Sequence, residues 1–254
     1  MSNFPNAPQS EISDSLNLDA SVRDFVLAKP AAARVLESFG IDYCCGGSQT
    51  LAQACRAANR PPEEVSAALR NLDSLPPEKA EKDWSHAPLA ELAQHIVDRH
   101  HTFTRAELAR ITSLIAKVIS AHGANHPELI RLQSIFAGLS EELTMHMMKE
   151  EKILFPYVAM MEEAARVKRR PPAAMFGTVQ NPVAAMMMEH EASGQALEKM
   201  RELTGDYAMP PDGCESYRAL LQALPAFAAD LHQHIHLENN ILFPRAVELE
   251  SDFS

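Results

Sequence analysis

The sequence is short of the residues that most other fold classes need. Glycine occurs 9 times in 254 residues and aromatics make up only 6%. Ala, Leu, Met and Glu recur instead, a balance that favours helices over sheets. Positive charge is also scarce. The formal net charge of -11 argues against a nucleic-acid partner. No uninterrupted apolar run is long enough to cross a bilayer, so no membrane partner is expected. The first residues, MSNFPNAPQSEISDS, have neither a basic start nor an apolar centre. They read as a short disordered tail rather than a secretory signal. The 4 cysteines are too few for a disulfide framework and include no CxxC motif, so a reducing, cytoplasmic setting is expected.

What is present divides into two parts. Residues 17–40 read as two short helices, the second opened by Pro30 and stopped by Gly40. IDYCCGGSQT follows as a tight turn, then LAQACRAA and PPEEVSAALRNL as two more helices. The polar stretch DSLPPEKAEKDWSHAP reads as a linker. Four long helical patterns come after it, from about Pro88 to Ala121, from Pro127 into the 160s, from Pro182 to Thr204 and from Cys214 to Glu248. Leu89, Leu92, Ile96, Ile111, Leu114 and Val118 keep helical phase in the first. Short connections predict an antiparallel up-and-down bundle, an architecture that builds metal sites from inward-facing side chains.

A repeat carries the chemistry. EELTMHMMKEEKILFP (141–156) and ADLHQHIHLENNILFP (229–244) superpose at an offset of 88 residues. They share His146/His234, Glu150/Glu238 and the closing Ile-Leu-Phe-Pro. A spacing of four puts each histidine and glutamate on one helical face, about one turn apart. A carboxylate on an apolar face is costly without compensation, and a bound cation would supply it. One such pair alone would read as a surface pair. Two copies in the same apolar frame point to metal. The other two helices should add imidazoles. The third offers His190. The first offers His95, His100 and His101, and the spacing to the next helix favours His101 while the apolar phase favours His100. Four histidines and two glutamates can hold two metals bridged by carboxylates, which suits iron first, manganese second and zinc third. Pro156 and Pro244 should bend or end their helices just past the ligands.

These motifs resemble a known family. HxxxE on two helices, each followed by LFP, is similar to the hemerythrin-like di-iron bundle. IDYCCGG ahead of that bundle, with EKDW (81–84) between, resembles the repair-of-iron-centres family (RIC, the YtfE/ScdA type). The resemblance implies an all-α fold: a hemerythrin-like antiparallel four-helix bundle over 86–250, with a small N-terminal helical Cys-Cys (ScdA-N-like) domain over 16–75. It implies two irons in a carboxylate-bridged centre with an oxo or hydroxo bridge, held by His101, His146, Glu150, His190, His234 and Glu238. Glu142 and Glu189 would lie close outside the ligands. It further implies repair of iron–sulfur clusters damaged by oxidative or nitrosative stress, by supply of iron to apo or damaged cluster proteins. A di-iron nitric oxide reductase producing N2O and a sensor of NO or O2 are the alternatives, so enzymatic activity is left open. A homodimer is compatible with the family. Oxygen-carrying hemerythrins have a second histidine four residues on in the third helix. Here Gly194 stands there, leaving open coordination.

Cys44 and Cys45 read alone either as two small apolar residues at a turn or as a thiol site. The resemblance favours the second, with catalytic thiols for redox chemistry or for capture of metal or nitric oxide. Cys55 is expected to be buried, Cys214 to be incidental, and His86, His122, His126, His232 and His236 to face solvent. His95 should be packed or exposed. Met186 to Met188 read as flexible core filler.

Overall fold

A computed structural model describes residues 17–29, 31–72 and 82–253. The expected tail at the N-terminus, the helix-opening Pro30 and most of the linker lie outside the described residues. The chain folds as two compact units, Met1–Lys82 and Asp83–Ser254. Among the described residues there is no strand, only isolated bridges at Ser21–Thr50 and Ala174–Gly177. None of the described helices is long and apolar enough to cross a membrane.

The first unit holds α1 (Val22–Ala28), α2 (Ala32–Ser38), α3 (Leu51–Ala57) and α4 (Pro62–Asn71). Each buries a few small or branched residues, Val22, Leu36, Leu51, Cys55 and Val65 among them, and Tyr43 in the loop between α2 and α3 is buried as well. Thr50 caps α3 through a reciprocal pair with Gln53, which fixes where the thiol loop ends and the helix begins. Gly40, at φ +70°, takes the left-handed conformation that stops α2.

The second unit is four long rods. α5 (Leu89–Ile96) and α6 (Thr102–His122) make the first, joined through a π-helical segment, Val97–His101. α7 (Glu128–Lys149), a π segment at Glu150–Leu154 and α8 (Phe155–Arg166) make the second. α9 (Gln180–Leu203) is the third. α10 (Glu215–Leu237), a π segment at Glu238–Leu242 and α11 (Phe243–Ser251) make the fourth. α6 packs against α7 and α10, and α7 against α9. Their apolar stripes meet in a core of Ile111, Ile115, Leu132, Phe136, Leu197, Leu224 and Phe227, all at most 4% exposed.

Of the two outcomes expected at Pro156 and Pro244, a bend or an end, the end does not occur: each helix continues past its proline. The amide of Phe155 bonds the carbonyl of Glu150 and that of Phe243 bonds Glu238, each five residues back. The wider π turn takes up the strain where a proline has no amide to give, so each rod runs on. The continuation has a use. Glu162 on α8 accepts the amides of Leu89 and Ala90 at 2.6 and 2.9 Å, capping the start of α5. Glu250, 88 residues later, accepts the amide of Val179 at 2.8 Å and the hydroxyl of Thr178, at the start of α9. Both close backbone donors that a helix start leaves open. The repeat in sequence is thus a repeat in structure.

Candidate metal centre

Six side chains from the four rods converge in the bundle: His101, His146, Glu150, His190, His234 and Glu238. All are at most 2% exposed. They form two groups of four, His101/Glu150/His234/Glu238 and His146/Glu150/His190/Glu238, within which the candidate ligand atoms lie within 4.8 Å of one another. Both groups contain both glutamates. Glu150 turns Oε1 to His146 Nε2 (3.2 Å) and Oε2 to His101 Nε2 (3.4 Å). Glu238 turns Oε1 to His234 Nε2 (3.0 Å) and Oε2 to His190 Nε2 (3.1 Å). Within each group the two imidazoles point Nε2 at Nε2, 3.2 Å apart for His101/His234 and 3.0 Å for His146/His190.

The donor set fits a pair of cations. Both oxygens of Glu150 and Oε2 of Glu238 are buried without an aligned hydrogen bond. Facing ring nitrogens can share one proton at best. Positive charge between them would satisfy nitrogens and oxygens together. Without a cation, protons take that part. Burial alone would lower the imidazoles of His101 and His146, but Glu150 and Glu238 outweigh it and raise both, His146 to about 9. Burial likewise raises the carboxyls of Glu150 and Glu238, yet the facing imidazoles hold both below the usual carboxylate range. His234, wholly buried, is lowered by burial despite Glu238.

Outer partners orient the rings. His101 Nδ1 meets Glu151 Oε1 at 2.8 Å, and Arg105 holds that same carboxylate. His146 Nδ1 meets Glu189 Oε2 at 2.8 Å, with Lys149 on the other oxygen. His190 Nδ1 meets Asn239 Oδ1 at 2.9 Å. Such contacts fix the tautomer and leave Nε2 free to ligate. Glu189 lies just outside the ligands, as the resemblance implies. Glu142 is exposed and takes no part, because α7 turns it outward. Glu151, Asn239, Lys149 and Arg105 are additions. Glu151 and Asn239 follow the two bridging glutamates at the repeat offset, a signal already in the sequence.

The choice between His100 and His101 has a structural reason. The π segment inserts a residue into the first rod, rotating the following helix by about 100° relative to the preceding one. Both histidines are therefore buried. His101 joins the cluster, while His100 stacks on His234 (ring centroids 5.7 Å apart, 11° between planes) and sets Nδ1 3.2 Å from Asp230 Oδ2.

Several other expectations need correction. His236 is buried, not at the surface, because its face of α10 is covered; burial takes its imidazole down to about 4. His126 is half-buried and bridges Glu128 (2.8 Å) and Asp212 (2.9 Å) rather than facing solvent alone, and His122 is half-buried beside it. Met186 is core, but Met187 and Met188 are exposed, since three successive helical residues cannot share one face. His95 needs no correction: it is packed, as expected, stacking on Trp84 with centroids 4.4 Å apart.

In the first unit, Asp42 Oδ1 accepts the amides of Cys44 and Cys45, both at 2.9 Å, and the Cys44 thiol at 3.2 Å. Its Oδ2 accepts the amide of Gly46 at 2.9 Å. A Cβ on Gly46 would lie 3.0 Å from the Asp42 carbonyl oxygen, so a side chain there would push the loop open by a few tenths of an ångström. The two sulfurs are 3.8 Å apart. Cys44 is buried, and its bond to Cys45, with burial, pushes the thiol well up; Cys45 is half-exposed.

Comparison with known proteins agrees with this geometry. The family described as hemerythrin HHE cation binding domain matches residues 92–246, and ScdA_N, a domain of unknown function (DUF542), matches 18–73. The protein named iron-sulfur cluster repair protein YtfE from Escherichia coli O81 (strain ED1a) is 36% identical over 230 residues, covering 90% of this chain and 97% of that one. The proteins of the same name from Escherichia coli O17:K52:H18 and Escherichia fergusonii match with the same identity and coverage.

Proposed function

The chain belongs to the hemerythrin HHE cation-binding family and to the iron-sulfur cluster repair proteins within it, and from that premise we propose that it is a di-iron protein that supplies iron to damaged clusters. The observation that carries this reading is the pair of buried four-residue groups sharing Glu150 and Glu238. His101 and His234 would hold one iron, His146 and His190 the other, and both glutamates would bridge. Two imidazoles and two carboxylates per metal suit iron and leave coordination open, because Gly194 offers no side chain where a further ligand could stand. Bound iron would supply the cargo and a redox-active centre.

The chain's own residues do the rest. Glu151, Glu189 and Asn239 fix three imidazoles with Nε2 inward. The apolar core around them keeps water from competing. The imidazoles of His101 and His146 are both raised by the neighbouring glutamates, His146 to about 9, so metal loading would displace protons and release would be favoured where protons are available. Cys44 and Cys45, on a loop tied down by Asp42, would serve as the thiols that assist transfer, with Cys45 the accessible one.

The test is transfer itself. Iron-loaded protein mixed anaerobically with an apo iron–sulfur acceptor and sulfide should restore the acceptor's cluster absorbance, faster than an equal amount of free iron under competing chelator. Iron retained while the acceptor stays empty would overturn the reading.

A further inference from the structure

The duplicated hairpin makes the two halves of the centre comparable residue by residue. At the 88-residue offset His146 answers to His234, Glu150 to Glu238 and Glu151 to Asn239. Between the first and third rods the offset is 89, pairing His101 with His190 and His100 with Glu189. The helix-start contacts obey the same rule: Ala90 and Val179, 89 apart, donate to Glu162 and Glu250, 88 apart.

Three outer contacts keep this correspondence. Glu151 serves His101 and its counterpart Asn239 serves His190. Glu189 serves His146, so its counterpart His100 should serve His234. It does not. His100 lays its ring parallel to that of His234, at 5.7 Å, with its Nδ1 3.2 Å from Asp230 Oδ2 but out of line for a hydrogen bond. His234 Nδ1 is left buried with no hydrogen-bond partner. An imidazole that ligates through Nε2 carries its proton on Nδ1, and an acceptor there raises the ring's basicity as a ligand. One imidazole in four lacks it.

We propose that the two metal positions differ in strength, that the His101/His234 position is the weaker, and that His100 makes it so by standing where the other half has a carboxylate. The inference rests on the iron-supply reading and sharpens it: the iron at His101/His234 is the one delivered first. His100 is a positioning residue here, acting through His234. Loss of such an outer contact costs a metal site on the order of 10- to 100-fold in affinity.

The experiment is a chelator challenge of the full-length, iron-loaded protein. Iron loss should occur in two steps of equal size, with release constants separated on the order of 10-fold or more. Crystals of the protein stopped between the steps should show anomalous scattering from iron retained at His146/His190 and lost at His101/His234. His100→Glu should slow the first step towards the second. Because that change buries a new carboxylate, a second variant guards against misfolding. Glu189, whose side chain is 37% exposed, can change without filling or emptying the core. Glu189→Leu should speed the second step towards the first, and Glu189→Gln, which keeps an acceptor, should restore most of the separation. Release in one step, first loss from His146/His190, or two steps unmoved by Glu189→Leu would overturn the inference while leaving iron supply intact. A protein that loads no iron defeats the iron-supply reading itself, and this inference with it.

Discussion

The bundle centre and the thiol loop are both clusters of metal-ligating side chains, yet they solve opposite problems. Around Glu150 and Glu238 three of the four buried oxygens lack an aligned donor and the imidazoles face each other. Around Cys44 and Cys45 the loop is already tied down by protein donors, with Asp42 accepting three amides and a thiol. The first arrangement leaves buried charge uncompensated without a cation; the second has its carboxylate satisfied by the loop itself. A site of the first kind is a residence, held in the fold by the charge it needs. A site of the second kind can react or exchange while the fold around it stands.

Breaking that contrast should be easiest at the bridging carboxylates. Glu150→Ala or Glu238→Ala leaves buried imidazoles without their counter-charge, which should cost about 3–5 kcal/mol of stability. Metal analysis should show iron falling from about two per chain to less than one, as both groups contain both glutamates. Removing the metal is the next largest perturbation. Ligand present at a thousandfold over its dissociation constant adds about 4 kcal/mol. Chelation should therefore lower the melting temperature of the second unit by several degrees, while hydrogen exchange across α1–α4 stays unchanged. Protection that falls equally in both units would erase the contrast. Asp42→Ala is smaller. It strips the acceptor from three loop amides and should cost about 1–3 kcal/mol within the first unit, with iron content unaltered.

The smallest effect concerns reactivity alone. Cys214 sits exposed at the start of α10, where His122 and then the amides of Tyr217 and Ser216 bring its thiol down to about 7. Below that pH it is mainly protonated, and above it the thiolate reacts. Alkylation followed by peptide mass spectrometry should thus find Cys214 modified with a midpoint near pH 7. Cys44, pushed up by Cys45 and by burial, should stay unlabelled across the same range, as should buried Cys55. Of these three thiols, the readiest at neutral pH is the one on the bundle.

How much of this was readable in the sequence depends on what local spacing can encode. His146/Glu150 and His234/Glu238 were legible because each pair lies within one turn and recurs. The helices and their rough limits followed from apolar periodicity. His101 against His100 was not settled by phase, because phase assumes an unbroken α-helix and Val97–His101 is a π segment. The change was visible only as a slip: Leu89, Leu92 and Ile96 and then Leu108, Ile111 and Ile115 are two stripes offset by one residue. The outer contacts were hidden for another reason. Whether a polar residue beside a ligand meets a ring or meets water depends on the neighbouring rod, which is why Glu189 and Glu142 looked alike in sequence and differ in space.

The π segments also govern how the chain tolerates editing. Each is one residue richer than the α-turn it replaces, in the manner of a stitch dropped into a regular weave. Deleting a single residue between Glu150 and Leu154 would remove no ligand and little apolar surface if Lys152 were chosen. It would nonetheless swing α8 by about 100° about its axis, carry Glu162 away from the amides of Leu89 and Ala90, and return Pro156 to a turn that cannot accommodate it. Length, at these places, is as binding an instruction as residue identity.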